Sequence, residues 1–402
     1  MRARRTLLAS ICVMSLVAVL VGCDRQSGTS ATQPGGGETG SAGAGADDIK
    51  IGEYGSMTGS EATFGVSTHQ GIALAVKEKN AAGGVKGAGG GKKIHLISYD
   101  DQGKSQEVVT AVTRLIQQDN VVALLGEVAS SRSIAGGQVA QRYGVPMITP
   151  SSTNPQVTEI GDMISRVCFI DPFQGYVGAS FAKNQLKFDK AATLYNRAQA
   201  YSAGLNEEFK KAFNAAGGEV VLEQAYSDGD NDFSAQLTAI RGKNPQFIYI
   251  PGYYTEVVNI ARQARKLGIT CPMLGGDGWV SEELKNAGDA LDGCYFSDHY
   301  SQEDKRPEVQ EFLKKYSAEY GKTPDSMAAL GYDAANLLFD AMERSPTLAG
   351  KDLGLMIATT KDFKGVTGNI TMNEHRDAEK LAVIQKIQGG KFSYFATVEP
   401  PK

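Results

Sequence analysis

The stretch from residue 121 to residue 155 limits the fold of this chain more than any other. It begins with a short apolar run from Val121 to Leu125, continues in a helical pattern that ends near Tyr143, and reaches a second apolar run from Val145 to Ile148. A buried strand, a helix and a second buried strand are typical of the βαβ unit of a parallel sheet. We therefore predict an α/β protein whose parallel sheets are flanked by helices.

Hydroxyl side chains follow both strands of this unit. Ser130 comes after the first strand, and Ser151, Ser152 and Thr153 come after the second. Ligands of parallel sheets lie beyond the carboxyl ends of the strands, where helix N-termini offer free N–H groups. We expect these four residues to hold a small anion, either a carboxylate or a phosphate. The alternative is that they are ordinary helix N-caps.

Two sets of strand–helix units are present, and 402 residues are enough for two domains. Two successive parallel sheets indicate two lobes rather than one long sheet. A closing hairpin is predicted around Gly389. Further strands are predicted at 48–54, 93–101, 190–195, 219–225, 247–251, 272–276 and 293–296.

The N-terminus has the pattern of an export signal. Three arginines precede an uncharged apolar run from residue 7 to residue 21, and Leu-Val-Gly-Cys ends at Cys23. This pattern resembles the bacterial lipoprotein signal. It predicts a signal peptide at 1–22, lipidation of Cys23 and a Gly/Ser-rich flexible linker over 23–47, which would anchor the chain to a membrane outside the cytoplasm. The alternative is a plain signal peptide with an incidental cysteine.

Several functional classes lack support. The net charge is −4 without any basic block, so a nucleic-acid partner is not expected. The glycine-rich segment 87–92 precedes a strand, whereas nucleotide motifs follow one, so no nucleotide cofactor is expected. No C-x-x-C, H-E-x-x-H or G-x-S-x-G motif is present, and we expect no metal site and no catalysis. Cys271 and Cys294 flank one strand–helix–strand unit, and either a disulfide or two free thiols is compatible with that spacing.

The second lobe carries groups that suit a cation. Tyr201, Tyr253, Asp277 and Trp279 each follow a predicted strand. A carboxylate can pair with an ammonium group, and aromatic faces add a cation–π or packing contribution. Asp277 as a turn residue and Trp279 as core packing are the alternatives. An anion site on one lobe and a cation site on the other together predict that a zwitterion is held between them.

Short motifs in a fixed order carry a family resemblance from Asp48 to the end of the chain. The chain resembles the Leu/Ile/Val-binding receptors of bacterial branched-chain amino acid ABC importers, which are two-lobed type I periplasmic binding proteins with a three-strand hinge. The motifs are Gly55-Ser56-Met57-Thr58-Gly59, Ser98-Tyr99-Asp100-Asp101, Ile148-Thr149-Pro150-Ser151-Ser152-Thr153-Asn154-Pro155, Asp232-Phe233-Ser234 and Gly252-Tyr253-Tyr254-Thr255-Glu256.

The resemblance implies a role for each candidate residue. The ligand carboxylate would be held by Ser130, Ser151, Ser152 and Thr153; the ammonium group would be surrounded by Tyr201, Tyr253 and Asp277; and Phe64, with Met327, would contact the ligand side chain. The resemblance also implies a monomer that delivers its amino acid to an ABC permease.

The chain departs from the family at several site positions. Family members usually have Glu where this chain has Asp277, and a smaller residue where it has Trp279. Alanines are common in the family at the positions of Ser151 and Ser152. The ligand therefore stays open, with an amide, a urea-like compound or an aromatic acid, for uptake or sensing, as alternatives to an amino acid.

The family pattern implies three crossings between lobes. We place them near 169–172, 299–301 and 372–374. The N-terminal lobe would then comprise 48–170 plus 301–372, and the C-terminal lobe 171–299 plus 374–402.

Overall fold

The first sheet forms the centre of one lobe in the computed structural model, which describes residue 45 and residues 47–401. Its strand order is β2-β1-β3-β4-β5, and all four strand pairs are parallel. The strands are β1 (Ile49–Gly55), β2 (Ile94–Asp100), β3 (Ala123–Leu125), β4 (Met147–Thr149) and β5 (Ile164–Arg166), and the helices between them are α1 (Ala62–Ala81), α2 (Ser105–Gln117), α3 (Ser130–Tyr143) and α4 (Gln156–Glu159).

The second sheet has seven strands and combines five parallel strands with a hairpin. The parallel units are α5 (Asp171–Ser180), β6 (Lys190–Asn196), α6 (Ala200–Ala215), β7 (Glu219–Tyr226), α7 (Ser234–Lys243), β8 (Phe247–Ile250), α8 (Tyr254–Lys266), β9 (Met273–Gly275) and β10 (Tyr295–Asp298). The chain then adds α9 (Pro307–Tyr320), α10 (Ser326–Arg344), α11 (Gly350–Ala358), β11 (Phe363–Gly365), β12 (Gly368–Met372), β13 (Ala378–Glu379), β14 (Ala382–Gln388) and β15 (Lys391–Val398).

The predicted two-lobed α/β architecture is confirmed, including the closing hairpin, since β14 pairs antiparallel with both β10 and β15. Helix α11 and the small antiparallel sheet β11-β12-β13 were not predicted. The helix α10 packs back on α1 in the first lobe. Two glycines allow that close approach, because a Cβ on Gly71 would lie 2.0 Å from the Ala328 carbonyl oxygen and one on Gly331 would lie 2.5 Å from the Thr68 carbonyl oxygen.

The third passage between lobes lies later than the predicted 372–374. Strand β13 pairs with β12, and Asp377 forms a 2.6 Å ion pair with Arg166 of β5, so residues 377–379 contact the first lobe. The chain reaches the seven-stranded sheet only at Ala382. The sequence did not reveal the two-residue strand β13, because its apolar pattern is too short to recognise.

Both cysteines of the second lobe are free thiols in this structure. Cys294 is buried, which raises its pKa to about 11, and its sulfur accepts a hydrogen bond from the Met273 N–H at 3.2 Å. The predicted lipidation site Cys23 and nearly all of the predicted linker lie outside the described residues. Within the described residues, no helix combines the length and apolar character needed to span a membrane.

Candidate functional site

The loop after β4 is held in place by Ser152. Its Oγ lies 3.0 Å from the Glu127 carbonyl oxygen, 2.9 Å from the Val128 carbonyl oxygen and 2.7 Å from Ser133 Oγ. These contacts join the loop after β4 to the loop after β3, and Ser152 is fully buried. The structure therefore places the Ser152 hydroxyl in the framework of the predicted anion site, where its hydrogen-bonding capacity is already used.

Two neighbouring hydroxyls are buried but free. Among the described residues, neither Ser151 Oγ nor Thr153 Oγ1 has a hydrogen-bond partner. Ser130 begins α3, and its Oγ accepts a hydrogen bond from the Asn154 N–H at 3.2 Å. The first turn of a helix presents N–H groups without helical partners. Buried hydroxyls beside such a turn can bind a carboxylate, which is the role that the sequence predicts for Ser151 and Thr153.

Tyr201 and Tyr253 face this loop from the second lobe. Their rings stack with centroids 5.2 Å apart and an interplanar angle of 6°. The Tyr201 hydroxyl accepts a hydrogen bond from the Gly278 N–H at 3.0 Å, while Tyr253 Oη is buried without a partner among the described residues. Burial raises the pKa of both phenols well above the usual range, so both stay neutral and can donate. Tyr253 thus offers a free hydroxyl at the cleft.

Phe64 closes the cleft from the first lobe. Its ring meets Tyr253 edge to face at 5.6 Å and Tyr254 at 4.9 Å. Gly65 brings it there, since a Cβ at Gly65 would lie 2.2 Å from the Ser56 carbonyl oxygen, and only a glycine lets α1 approach the loop after β1 so closely. The structure therefore brings Phe64 and Tyr253 together.

Asp277 is buried beside the tyrosines, but both of its oxygens already have partners. Gln174 Nε2 donates to Oδ1 at 2.8 Å, and His299 Nε2 lies 2.9 Å from Oδ2. Burial lowers the pKa of His299, so the imidazole is neutral at pH 7 and contributes a hydrogen bond rather than a positive charge. The Asp277 side chain is therefore oriented by two neutral groups, Gln174 and His299.

The structure does not bring Trp279 to the cleft. The indole is fully buried in the core of the second lobe, where Nε1 donates to the Ile250 carbonyl oxygen at 2.9 Å. It lies directly on Gly275, whose missing Cβ would be 2.1 Å from the ring. Trp279 therefore occupies a core position, which is the alternative named in the sequence analysis. Gly275 has no side chain and so leaves room for the large indole.

Sequence reasoning missed a buried acid at the first residue of α5. Asp171 is completely buried, and neither of its carboxylate oxygens has a hydrogen-bond partner among the described residues. Its N–H donates to the Thr153 carbonyl oxygen at 2.9 Å, which places it against the anion-binding loop. In the sequence, Asp-Pro before a helical pattern has the ordinary appearance of a helix start, so its environment gave no separate signal.

A second missed feature is a buried charge cluster behind the anion loop. Arg132 pairs with Glu61 at 2.6 Å and with Glu127 at 3.0 Å, and Ser56 Oγ reaches Glu127 at 2.7 Å. Burial also raises the pKa of Asp101, which lies next to Ser56, to about 7. Because these partners connect the loops after β1, β2 and β3, the cluster fixes the geometry of the cleft wall.

The two lobes touch each other around the cleft. Ser131 Oγ accepts a hydrogen bond from the Ala200 N–H at 2.9 Å, and Asn154 Nδ2 donates to the Ala200 carbonyl oxygen at 2.8 Å. On the other side, the Tyr254 hydroxyl donates to the Ser60 carbonyl oxygen at 3.0 Å. The lobes are therefore in direct contact in this structure, which is a closed arrangement.

A cavity of about 1000 Å³ lies elsewhere, lined by residues that include Arg306, Lys380, Leu381 and Tyr394. Two of its basic groups are already engaged. Arg306 donates to the carbonyl oxygens of Gly365 and Val366, and Lys380 Nζ donates to the Val167 carbonyl oxygen at 3.3 Å. We place the candidate site in the cleft between the lobes, because the free buried hydroxyls and carboxylate converge there.

Two lobes closing over a cleft with an anion-binding loop on one side and an acid with aromatic groups on the other define a solute-binding protein. A sequence model of the periplasmic binding proteins matches residues 48–391, and the chain belongs to that family. The predicted family membership is confirmed.

Curated relatives agree with this assignment. The chain is 31% identical over 317 residues to the leucine-specific-binding protein of Salmonella typhimurium, which covers 78% of this chain and 84% of that protein. It is 35% identical over 238 residues to an amino acid binding protein of Pseudomonas aeruginosa, covering 59% of this chain and 62% of that relative's length.

Solved structures share the two-lobed fold. The leucine binding protein LivK of Thermotoga maritima is 38% identical with a TM-score of 0.84, covering 88% of this chain and 99% of that one. LivJ of Streptococcus pneumoniae, in complex with isoleucine, is 32% identical with a TM-score of 0.82. The match covers 88% of this chain and 100% of that one. A binding protein of Rhodopseudomonas palustris in complex with 3,4-dihydroxybenzoic acid is 26% identical with a TM-score of 0.77, covering 89% and 98%.

Proposed function

We propose that this chain is an extracytoplasmic receptor that captures a hydrophobic amino acid between its lobes and delivers it to an ABC permease. The observation that carries the proposal is the presence of buried polar groups on both lobes. Ser151 and Thr153 offer unpartnered hydroxyls on the first lobe, and the second lobe offers the unpartnered Tyr253 hydroxyl and the Asp277 carboxylate, which Gln174 and His299 orient. An α-carboxylate and an α-ammonium group satisfy these two ends in one small molecule.

The side of the cleft away from these polar groups is apolar. Phe64, Val128 and Met327 of the first lobe belong to the same buried apolar cluster as Phe169 and Tyr253. Burying an aliphatic or aromatic side chain there contributes roughly 1.5–3 kcal/mol, and a charged side chain would lose its hydration without gaining a partner. This favours leucine, isoleucine, valine or phenylalanine, and two of these, leucine and isoleucine, are named as ligands of the relatives described above.

Closure of the lobes is the signal that a permease would recognise. The contacts of Ser131 and Asn154 with Ala200 form only when the lobes meet. A ligand that touches both lobes binds the closed form more tightly than the open form and shifts the population toward it. The receptor acts in this proposal as a monomer without cofactor, metal or catalytic step.

The proposed location is the outer face of a membrane, reached through a lipid on Cys23. The Gly/Ser-rich segment 23–47 would be the tether that leaves the two-lobed domain free to meet its permease. Radiolabelled palmitate incorporation that is lost in Cys23→Ala tests this anchor, and labelling that persists in the variant contradicts it.

A thermal-shift panel tests the ligand assignment. The protein is freed of bound ligand by unfolding and refolding and is then mixed with each of the twenty amino acids. A ligand at a hundred times its dissociation constant adds about 2.7 kcal/mol to the apparent free energy of unfolding, which is a clear shift. Shifts confined to hydrophobic amino acids support the proposal, whereas a panel without any amino acid shift overturns it.

The second candidate is an aromatic acid, as in the Rhodopseudomonas palustris neighbour. Phe64 and the stacked Tyr201 and Tyr253 favour it, because they present aromatic surface at the cleft. Benzoate and 3,4-dihydroxybenzoate in the same panel separate the two candidates, since an aromatic acid receptor would respond to them and not to amino acids.

A further inference from the structure

We propose that the cavity of about 1000 Å³ outside the cleft is a second ligand site, which takes a small apolar amine and is coupled to the cleft through His299. We call it the hinge cavity, because its lining includes residues 299–301, which follow β10, and residues 379–381, which lead from β13 to β14. This inference goes beyond the proposed function, since none of the residues proposed to bind the amino acid lines the hinge cavity.

The walls of the hinge cavity belong to different lobes. Thr367 lies beside α10 of the first lobe, where its N–H donates to Asp333 Oδ2 at 2.8 Å. Val383 and Tyr394 belong to the β14–β15 hairpin of the second sheet. The cavity has its present shape while the lobes are closed, and a movement of the lobes shifts one wall against the other. A molecule that contacts both walls therefore favours the closed arrangement.

His299 connects the hinge cavity with the cleft. It is a buried member of the cavity lining, and its Nε2 lies 2.9 Å from Asp277 Oδ2. Its Nδ1 has no hydrogen-bond partner among the described residues. Because a carboxylate accepts hydrogen bonds, Nε2 carries the proton and Nδ1 presents a lone pair. An N–H donor bound to Nδ1 satisfies this buried atom and polarises the imidazole, which strengthens its bond to Asp277.

The lining offers apolar surface for the body of a ligand. Leu381 and Tyr394 are 48% and 43% exposed, and both are among the few large apolar side chains that the described residues leave exposed. Both line the hinge cavity together with Val383. Covering these side chains stabilises a bound apolar group, and the ring of Tyr394 adds a favourable contact to a cation.

The charges of the lining favour a cation over an anion. Two of the three basic residues are engaged, since Arg306 pairs with Asp304 at 2.8 Å and Lys380 donates to the Val167 carbonyl oxygen at 3.3 Å. Four acidic residues line the same cavity, and Glu379 has no ion pair among the described residues. An ammonium group supplies both the N–H donor that His299 lacks and a positive charge for this surrounding.

Benzylamine and benzyl alcohol are suitable probes, because they share one ring and differ in the charged N–H donor. Isothermal titration of the full chain, with the cleft saturated by L-leucine, should show benzylamine binding at least tenfold more tightly than benzyl alcohol. Saturating benzylamine should in turn raise the affinity for leucine at least threefold, because coupling between two sites is reciprocal. Equal affinities for the two probes overturn the inference, and so does a leucine affinity that benzylamine lowers or leaves unchanged.

The Tyr394→Ala variant isolates the hinge cavity. We expect at least a fivefold loss of benzylamine affinity, with leucine affinity in the absence of benzylamine within twofold of that of the wild type. Tyr143→Ala is the matched control, because Tyr143 is 44% exposed and does not line the cavity. Unchanged benzylamine affinity in Tyr394→Ala overturns the inference, and so does an equal loss in both variants.

The second site and the proposed function fail separately. If leucine binds and benzylamine does not, only the second site fails. If no amino acid binds, the proposed function fails; the compound that the thermal-shift panel identifies then takes the place of leucine in the same titrations.

Discussion

His299 Nε2 lies 2.9 Å from Asp277 Oδ2, and the imidazole is stacked on the Phe169 ring with centroids 3.9 Å apart. Phe169 follows β5 of the first sheet, whereas His299 follows β10 of the second, so this stack joins segments that come from different sheets. The acid proposed to face the ligand is thus oriented by a residue that packs on a segment of the first sheet's chain.

Replacing Asp277 with Asn should weaken amino acid binding at least tenfold. The change removes a charge-assisted hydrogen bond to the ammonium group, which contributes roughly 1.5–3 kcal/mol, while the shape of the side chain stays the same. Titration calorimetry with L-leucine and L-phenylalanine measures the effect. Glu282→Gln, at an exposed position, is the control, and undiminished affinity in Asp277→Asn would remove this residue from the ammonium site.

Replacing Trp279 with Phe should reduce stability and leave affinity nearly unchanged. The variant loses the bond from Nε1 to the Ile250 carbonyl oxygen and leaves space above Gly275. An unmade bond to a buried carbonyl costs about 1–3 kcal/mol, so the urea midpoint should fall. The variant should bind leucine with an affinity within threefold of that of the wild type. A larger loss of affinity, with normal stability, would instead place the indole at the ligand.

Ser151 and Ser152 are adjacent, but replacing each with alanine should affect different properties, ligand affinity for Ser151 and stability for Ser152. Ser152 Oγ bonds within the loop, so Ser152→Ala should lower the free energy of unfolding by about 1–3 kcal/mol. Ser151 Oγ has no partner among the described residues, so Ser151→Ala should leave stability unchanged and weaken amino acid binding severalfold. Denaturation and titration on the same two proteins compare them, and the reverse pattern would contradict this division of roles.

These two serines also show what the sequence could and could not predict. The order of strands follows from apolar periodicity, and helix α9 runs from Pro307 to Tyr320 because Pro307 opens it and Gly321 ends it in a left-handed conformation. The position of the hydroxyl-rich loops at one edge of the sheet follows from the same pattern. Which hydroxyl of two neighbours points into the cleft depends on contacts with Glu127 and Ser133, and periodicity carries no information about them.

The surroundings of Trp279 and Asp171 could not be read from the sequence for a related reason. Both lie near the ends of secondary-structure elements, where the direction of a side chain depends on tertiary packing rather than on local pattern. The depth of Trp279 is set by Gly275, four residues before it, and the environment of Asp171 by Gly204 on a different helix. A glycine four residues from a large aromatic residue can be noticed in a sequence as a sign of close packing. A glycine 33 positions away cannot be connected with Asp171 without the structure.

The lobe contacts of Ser131 should contribute to ligand affinity without touching the ligand. Ser131→Ala removes the acceptor for the Ala200 N–H, a bond made across the lobes in the closed arrangement. Destabilising the closed form by about 1 kcal/mol lowers affinity by roughly fivefold, because the ligand must then supply that free energy. Small-angle scattering at saturating leucine should still give the compact closed shape. An affinity equal to that of the wild type would show that this bond does not favour closure.

Asp298 should make the protein less stable as the pH rises from about 4 to about 7. Burial and, to a smaller extent, the charge of Asp277 raise the pKa of this carboxyl group to about 7, against the opposing effect of hydrogen bonds from Ser326, the His299 N–H and Gln385. An unfolded aspartate has a pKa of about 3.9, so the native state holds the proton across this range while the unfolded state releases it. Stability is therefore highest below pH 4 as far as this group is concerned, falls through the interval and is constant above pH 7.

Asp298→Asn should flatten that dependence, because the amide is neutral at every pH, as the protonated acid is. The gain relative to the wild type should be near zero at pH 4 and should grow toward pH 8, at about 1.4 kcal/mol for each unit of pKa difference. Part of the slope should persist, since burial also raises the pKa of Asp101 to about 7. Urea denaturation of both proteins at pH 4, 5, 6, 7 and 8 measures the two slopes, with Asp289→Asn as the exposed control. Parallel slopes for wild type and Asp298→Asn would show that the buried carboxyl group ionises in the native state as readily as in the unfolded chain.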